Sequence, residues 1–317
     1  MRAPRWLGLA LLLSLFGPAV LAPPSLAPRA SAQDDEGDEG DDDEFDTSWI
    51  GVRLGFWYRP TIDMDVQVSG LGPSNPLTGL LGTDFNLQRD LGVRENPRSE
   101  YSVDFDHQAI PELELFVETE WVSLFVLWIP PFEYQGRSNL TRTVSFGGQS
   151  FSATTQVESK FRHMFLGADV EFNIFNNGLF RLSPLIGARA LIVDYEVRDL
   201  TTGVKGDTSD IDSPLHFEEW EVFPYPEVGI DFRIGAREWI EAGIKLAGSL
   251  IDYYGVEGGT FRAEATVTAY PIPFLGIQVG ARHLLYDIKS KDEDGDRQFD
   301  FDLEFIGFTA SLIVRFG

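Results

Sequence analysis

The chain has 317 residues, of which 43% are hydrophobic and 24% charged, and its formal net charge is −25. This acidity argues against nucleic acid as a partner, because neutralising phosphates requires a basic surface. The absence of cysteine fits an exported protein that needs no disulfides.

The first 32 residues have the parts of a cleaved secretory signal peptide. Arg2 and Arg5 precede an apolar run from Trp6 to Ala22, and Ala30-Ser31-Ala32 is a small-x-small cleavage site. A retained membrane anchor is the alternative, although Pro18 and its neighbours interrupt the run. We predict a signal peptide over residues 1–32.

Residues 33–46 form an acidic block with ten carboxylates between Asp34 and Asp46. Such a block repels itself and has nothing to bury, which predicts a disordered periplasmic arm. The functional alternative is binding of divalent ions or of a basic periplasmic partner.

Residues 47–317 show strand-like alternation of polarity. The last segment has an apolar row (Ile306, Phe308, Ala310, Leu312, Val314, Phe316), separated by mostly small or polar residues. Apolar runs after residue 32 fall well short of the ~20 residues that a spanning helix needs, so closed strands are the remaining way to satisfy the backbone in lipid. The pattern predicts an all-β fold, a transmembrane antiparallel up-and-down β-barrel with lipid outside.

Ten strands fit the pattern best, although eight or twelve remain open because residues 61–69 and 100–107 form a possible extra pair. The predicted strands are about 49–59, 110–119, 121–130, 155–175, 180–198, 217–234, 239–250, 260–270, 274–289 and 299–317. Their short links predict periplasmic turns, and the longer ones predict extracellular loops. An even number then leaves both termini in the periplasm of a bacterial outer-membrane barrel, the class that this chain resembles.

The alternation points many charged side chains into the lumen, since a charge facing lipid is costly. The predicted lumen network is Arg53, Arg59, Glu112, Glu114, Asp169, Glu171, Arg189, Glu227, Asp231, Arg233, Lys245, Arg262, Glu264 and Arg282, with Glu304 as a further inward acid. A ten-stranded barrel is only slightly wider than one that side chains fill. The network is therefore either a salt-bridged plug or the lining of a narrow, cation-preferring pore.

The first outer loop, about 60–109, is too long to be a simple connection. Thr83 or Asp84 is a candidate cap for a short helix that stops at Gly92, with Leu87 and Leu91 on one face. We expect this loop to fold into or over the mouth as a lid. The stretch is also similar to a segment of uncharacterised bacterial barrels, which implies no activity.

Residues 292–300 resemble a calcium loop of the EF-hand type, because Asp292, Asp294, Asp296 and Asp300 stand at alternate or nearly alternate positions. Arg297 replaces the required glycine, and Leu303 replaces the final glutamate. The sequence favours an acidic hairpin turn without metal, with Ca²⁺ as the alternative.

Lys160 and Arg162 continue the outward row of the fourth predicted strand beyond Met164. Two cations at the outer-leaflet boundary suit the phosphates of lipopolysaccharide. Simple exposure to solvent is the alternative.

The segment Asp104-Phe105-Asp106 resembles the Asp-x-Asp pair of omptin-type proteases, which are ten-stranded barrels. Those enzymes place an Asp-x-His pair opposite, whereas this chain offers only Asp210, Asp212 and His216, without that spacing. We therefore predict no enzymatic activity.

We predict a non-enzymatic outer-membrane barrel, either structural or adhesion-like, or a narrow channel for small solutes. An omptin-like protease and a surface barrel that binds lipopolysaccharide or divalent cations are the alternatives. The expected partners are outer-membrane lipid, lipopolysaccharide and, during insertion, the barrel-assembly machinery, with no cofactor.

Overall fold

The computed structural model describes residues 48–68, 85–91, 93, 109–208, 215–217, 220–235, 239–253, 255–291 and 297–317. The predicted signal peptide and acidic arm lie outside these residues. In chain order the elements are β1 (Trp49–Val68), β2 (Phe85–Asn86), α1 (Leu87–Leu91), β3 (Ala109–Glu118), β4 (Val122–Asn139), β5 (Val144–Phe146), β6 (Gln149–Phe151), β7 (Gln156–Phe172), β8 (Phe175–Asn176), β9 (Phe180–Asp199), β10 (Lys205–Asp207), β11 (Leu215–Phe217), β12 (Trp220–Ile234), β13 (Ile240–Tyr253), β14 (Val256–Ile272), β15 (Leu275–Lys291) and β16 (Arg297–Phe316).

Ten of these strands form a closed antiparallel ring. Its order is β1, β3, β4, β7, β9, β12, β13, β14, β15 and β16, and β16 pairs with β1 to close it. The first and last strands meet at Ile50 and Phe316, so the two described chain ends lie at the same end of the barrel. The predicted up-and-down barrel of about ten strands is confirmed.

The two ends of the barrel differ in their connections. At the end we call the turn end, short links such as residues 119–121 and 273–274 join neighbouring strands. At the other end, which we call the mouth, the longer links begin and several strands extend well beyond the length a bilayer requires. About 9–11 tilted residues cross a membrane, whereas β1, β9 and β16 each have 20 residues.

The polarity of the strands reverses between the turn half and the mouth half. In the turn half of β16, Phe308 faces outward and is 69% exposed, while Arg315 on the inner side is buried. In the mouth half the inner side chains are Phe299, Phe301 and Phe305, all fully buried, and the outer ones are acids such as Asp302. An apolar outer band below a charged outer rim is the surface of a barrel that spans a bilayer and projects into water.

Two β-bulges carry this reversal in β1 and β4. The register of β1 against β16 shifts between Tyr58 and Thr61, and that of β4 against β7 shifts between Ile129 and Phe132. A shift of one residue moves every later side chain to the opposite face. Even-numbered apolar residues of β1 therefore face outward up to Tyr58 and inward from Ile62 onward.

The bulges also correct two predicted strand ends. The sequence prediction ended these two strands near Arg59 and Pro130. Proline lacks the N–H that a ladder needs, which makes Pro60 and Pro130 unusual inside a strand. Both strands instead continue, to Val68 and Asn139, because each proline lies inside a bulge where that donor is not required. The carbonyl of Pro60 accepts a hydrogen bond of 2.8 Å from the Tyr134 hydroxyl, which ties the two bulged regions together.

No helix within the described residues has the length and apolar character needed to cross a bilayer.

Candidate functional site: the filled interior

The part of the interior nearest the turn end is a small apolar cluster. Phe116, Phe125, Tyr270 and Ile313 pack together there. Arg315 lies beside them, with its guanidinium carbon 3.9 Å from the Tyr270 ring centre and 4.4 Å from that of Trp49. Aromatic faces stabilise such a cation, so this end of the lumen is covered by rings.

Above this cluster lies an ionic layer, whose lower part is centred on Arg233. Its guanidinium is 2.7 Å from Asp231, 3.3 Å from Glu241 and 3.4 Å from Glu118. Lys245 lies 2.6 Å from Glu171, which is completely buried. Each buried acid thus faces a base from another strand or from its own.

The upper part of the ionic layer is centred on two arginines that share their acids. Arg189 contacts Asp169 at 2.8 Å and Glu227 at 2.7 Å, and Arg262 contacts the same two carboxylates at 3.0 and 2.7 Å. Arg282 bonds Glu112 at 2.7 Å. Bases from β9, β14 and β15 therefore bind acids from β3, β7 and β12, and cross-link the walls.

The mouth half contains an apolar layer that is dominated by aromatic rings. The ring centre of Phe165 is 4.0 Å from His163, 5.7 Å from Trp57 and 5.8 Å from Phe305. All four side chains are at most 5% exposed. Gly307 faces Trp57 so closely that any side chain there would collide with the indole. This layer is packed like the core of a soluble protein.

A small cavity lies between the ionic and aromatic layers. It measures about 10 Å³ and is lined by residues of both, including Arg262, Glu227, Tyr225, Tyr286 and Thr260. A space of that size holds about one water molecule, so it is not a conduit.

Segments from two loops fold into the mouth and complete the aromatic layer. Leu91 at the end of α1 and Val93 belong to the same buried cluster, as do Val144, Phe146 and Phe151 of the β5–β6 hairpin and its flanks. The Phe146 ring centre lies 4.7 Å from that of Tyr195 on β9. The predicted lid is thus present in the described part of the first loop, and a second inserted loop accompanies it.

The cap of α1 differs from the prediction. The residue before the helix is Asn86, whose side-chain oxygen accepts a hydrogen bond of 3.0 Å from the Arg89 amide. Asp90 in turn accepts one from the Asn86 amide at 2.9 Å. Thr83 and Asp84, the predicted caps, lie outside the described residues. The Arg89 side chain, which donates to Asp90, holds the pKa of that carboxyl below its usual value.

The predicted lumen charges lie largely where the alternation placed them. Arg53, Glu114 and the residues named above face inward, and Arg53 is 2.7 Å from Glu114. The Arg59 side chain falls outside the described residues, and Glu304 faces outward, where it bonds His283 at 2.7 Å. The sequence prediction placed Glu304 in the lumen, but this residue belongs to the even-numbered row of β16, which faces outward.

Lys160 and Arg162 lie on the outer face as predicted, but both already have carboxylate partners. Arg162 binds Asp194 and sits 5.2 Å from the Trp220 ring centre, and Lys160 is 3.8 Å from Glu158. Contact with lipopolysaccharide stays a prediction.

The remaining candidate sites fall mostly outside the described residues. Of the calcium-loop positions, only Asp300 is described, on β16 opposite Lys289. Of the omptin-like candidates, only the backbone of His216 is described, opposite Glu221. Among the described residues no cluster of three acids or histidines is arranged to hold a metal.

The sequence prediction missed the aromatic layer, although a signal for it existed. Along β7, Val157, Phe161 and Phe165 alternate with Glu158 and Arg162. This is the pattern of a strand with water outside and an apolar core inside. Its presence in the same strand as a lipid-facing row marks the height at which the barrel leaves the membrane.

Comparison with known proteins gives likeness in architecture. No family model and no curated protein matches this chain. Among solved structures, the outer-membrane protease OmpT of Escherichia coli is similar at 11% identity and a TM-score of 0.45, over 84% of this chain and 97% of that one. Ail of Yersinia pestis (9%, 0.27, 85% and 99%) and the toluene transporter TodX of Pseudomonas putida (7%, 0.28, 84% and 89%) are also similar. At these values the likeness is one of fold alone; the closed strand pairing and the apolar outer band of this chain are those of a membrane-spanning β-barrel.

Proposed function

We propose that this protein is a non-enzymatic outer-membrane barrel with a structural or adhesion-like role, and that its lumen does not conduct solutes. The observation that supports this is the filling of the described interior at three levels, with rings at the turn end, ion pairs across the middle and an aromatic layer under the mouth, which leave a cavity of about 10 Å³ between the upper two. Of the two predicted possibilities, a salt-bridged plug fits this filling better than a cation-preferring pore.

The connections support an orientation with the turn end in the periplasm. The short links belong in the periplasm and the projecting mouth outside the cell, as in single-chain bacterial barrels. The long strands then lift the rim and its loops above the lipid surface. A closed, rigid cylinder that carries exposed loops is suited to presenting a binding surface, and lipopolysaccharide around the rim is the expected lipid partner.

The test of the proposal is conductance in planar bilayers. The purified full-length barrel should give no discrete current steps, and deletion of residues 70–99 should leave it silent because the layers below the lid remain. The triple variant Phe132→Ala, Phe165→Ala and Phe305→Ala should also stay silent, because the ionic layer and the turn-end rings still fill the lumen below the layer that it opens. Regular steps from the unmodified barrel would contradict the proposal.

Absence of catalysis needs its own test. The barrel should not cleave basic peptides, and Asp104→Ala and His216→Ala should change nothing. Cleavage that either substitution abolishes would establish the omptin-like alternative.

A further inference from the structure

The wall of the barrel has a break between β12 and β13. Within the described residues, β12 pairs with β9 from Ile234 up to Glu221. Its pairing with β13 begins at Ile234 and stops at Val228, opposite Gly248. β13 itself continues to Tyr253, paired with β14. Residues 223–227 of β12 and 249–253 of β13 therefore flank a seam without ladder hydrogen bonds.

Two prolines account for the break. Pro224 and Pro226 carry no N–H and so cannot donate to a neighbouring strand. The Pro224 carbonyl, which has no strand partner on the β13 side, instead accepts a hydrogen bond from the Tyr253 hydroxyl. A side chain thus spans the position where a main-chain ladder would run.

The inner side of the seam carries hydroxyls that lack partners. Ser249 and Thr260 lie directly opposite each other on β13 and β14. Their side-chain oxygens are buried and make no hydrogen bond among the described residues. Buried polar groups normally have a partner, and each such exception calls for an explanation. Thr260 also lines the cavity of about 10 Å³ described above.

The outer side of the seam is apolar at its lower end, whereas Asp252 lies exposed nearer the mouth. Val228 is 64% exposed, Leu250 is 91% exposed and Phe261 is 42% exposed. These side chains belong to the lipid-facing band, near its upper limit. A molecule that reaches the cavity through the seam therefore arrives from hydrocarbon.

We propose that the seam is a lateral binding site for a single-chain amphiphile with a small hydroxyl head. The head group occupies the cavity, which has room for about one oxygen-sized group, and bonds the Thr260 and Ser249 hydroxyls. The chain passes between β12 and β13 on the mouth side of the Val228–Gly248 pair, where Gly248 places no side chain in its path. The site opens sideways into the interior and does not run from the mouth to the turn end, so it is compatible with a lumen that does not conduct solutes.

The test uses the full-length barrel in lipid nanodiscs, with 1-dodecanol as the probe and dodecane as the chemical control. Native mass spectrometry counts molecules retained on the protein after release from the nanodisc. One dodecanol and no dodecane should be retained. Ser249→Ala with Thr260→Val should reduce retention about tenfold, as expected for the loss of hydrogen bonds, and Thr260→Val alone should give a smaller reduction. Thr266→Val, on the same strand but away from the cavity, should have no effect.

A second variant tests the route. Pro224→Val with Pro226→Val restores two backbone donors, which should close the seam and abolish retention while preserving both hydroxyls. Retention of dodecane equal to dodecanol, undiminished retention in both double variants, or a cavity that holds a water and no alcohol up to the solubility limit would each overturn the proposal.

Discussion

Arg262 on β14 donates from Nη2 to Asp169 Oδ2 on β7 at 3.0 Å, although β9, β12 and β13 separate the two strands along the wall. The contact crosses the lumen instead of following the wall. Both side chains are at most 4% exposed, and Glu227 binds the same guanidinium from a third strand. The ionic layer therefore links strands of the wall that are not neighbours and stabilises the barrel from inside.

Removing one of these ion pairs across the lumen should lower the free energy of unfolding. Arg262→Met leaves Asp169 and Glu227 with a reduced set of cationic partners in a dry interior, and breaking a buried pair in this way costs about 3–5 kcal/mol. Urea unfolding in lipid vesicles should show this loss. Arg137→Met is the control, because Arg137 bonds Glu158 on the exposed rim and should cost at most about 1 kcal/mol. Equal losses of unfolding free energy in the two variants would contradict the assignment of Arg262 to a buried ion pair.

The aromatic layer should contribute strongly to stability. Phe305→Ala removes a fully buried ring from its centre, which costs about 3–5 kcal/mol for a packed phenylalanine. Phe308, three residues later on the same strand, is 69% exposed on the lipid-facing side. Phe308→Ala should cost much less by the same unfolding measurement, and a larger cost for Phe308→Ala than for Phe305→Ala would be inconsistent with the packing described.

The outer rim contains a row of like charges whose effect depends on pH. Asp302 lies directly opposite both Asp65 and Asp287, and its pKa is raised from 3.8 by partial burial and by these neighbouring carboxylates. The stability that its protonated form provides is complete below pH 3.8 and is lost as the pH rises through the higher folded-state pKa. Asp302→Asn should therefore raise the melting temperature at pH 7, with a difference that shrinks toward pH 3.5, as a thermal melt series over about four pH units would record.

Glu158 provides the opposite case on the same rim. The hydrogen bond from Arg137 lowers its pKa below 4.5, so its stabilising contribution is present above that pH and is lost as the pH falls through the folded-state pKa. Glu158→Gln should lower the melting temperature at pH 7. Changes of the same sign in both variants would argue against this electrostatic explanation.

The mouth segment should open independently of the barrel. Asn86→Ala removes the cap of α1, which costs about 1 kcal/mol locally. Hydrogen exchange of residues 87–93 should accelerate several-fold while the exchange of β16 amides stays unchanged. Gln135→Ala, on the outer face of β4, is a control that should leave the exchange of 87–93 as it is.

The sequence predicted the lower half of the barrel well, because lipid imposes one simple rule on every second residue. The lumen charges and the outward rows followed from that rule. The upper half was predicted less well for two reasons. The predicted strands ended at residues 59 and 130, since a bulge at Pro60 or Pro130 cannot be distinguished from a strand end in sequence alone. The inner rings of β16 and β7 were passed over, because the same period-two alternation describes a lipid-facing row and a core-facing row.

Three features could not be predicted from a local sequence pattern. Which acid meets which base across the lumen depends on strands that are distant in sequence, such as Glu112 and Arg282. The insertion of the β5–β6 hairpin has no periodic signal. The seam requires the register of three strands, although Pro224 and Pro226 marked its position.

The reversal of polarity along one strand is tested most directly by spin-label accessibility. Single cysteines introduced at each position from 299 to 316 of a chain that has no native cysteine would carry a nitroxide in lipid vesicles. Labels at even positions from 306 to 316 face lipid and should be accessible to oxygen. Labels at even positions from 300 to 304 face water and should be accessible to a water-soluble nickel complex. Labels at odd positions from 299 to 305 face the filled interior and should be accessible to neither reagent. Nickel access at positions 301, 303 and 305 would show a water-filled mouth and contradict the filled interior.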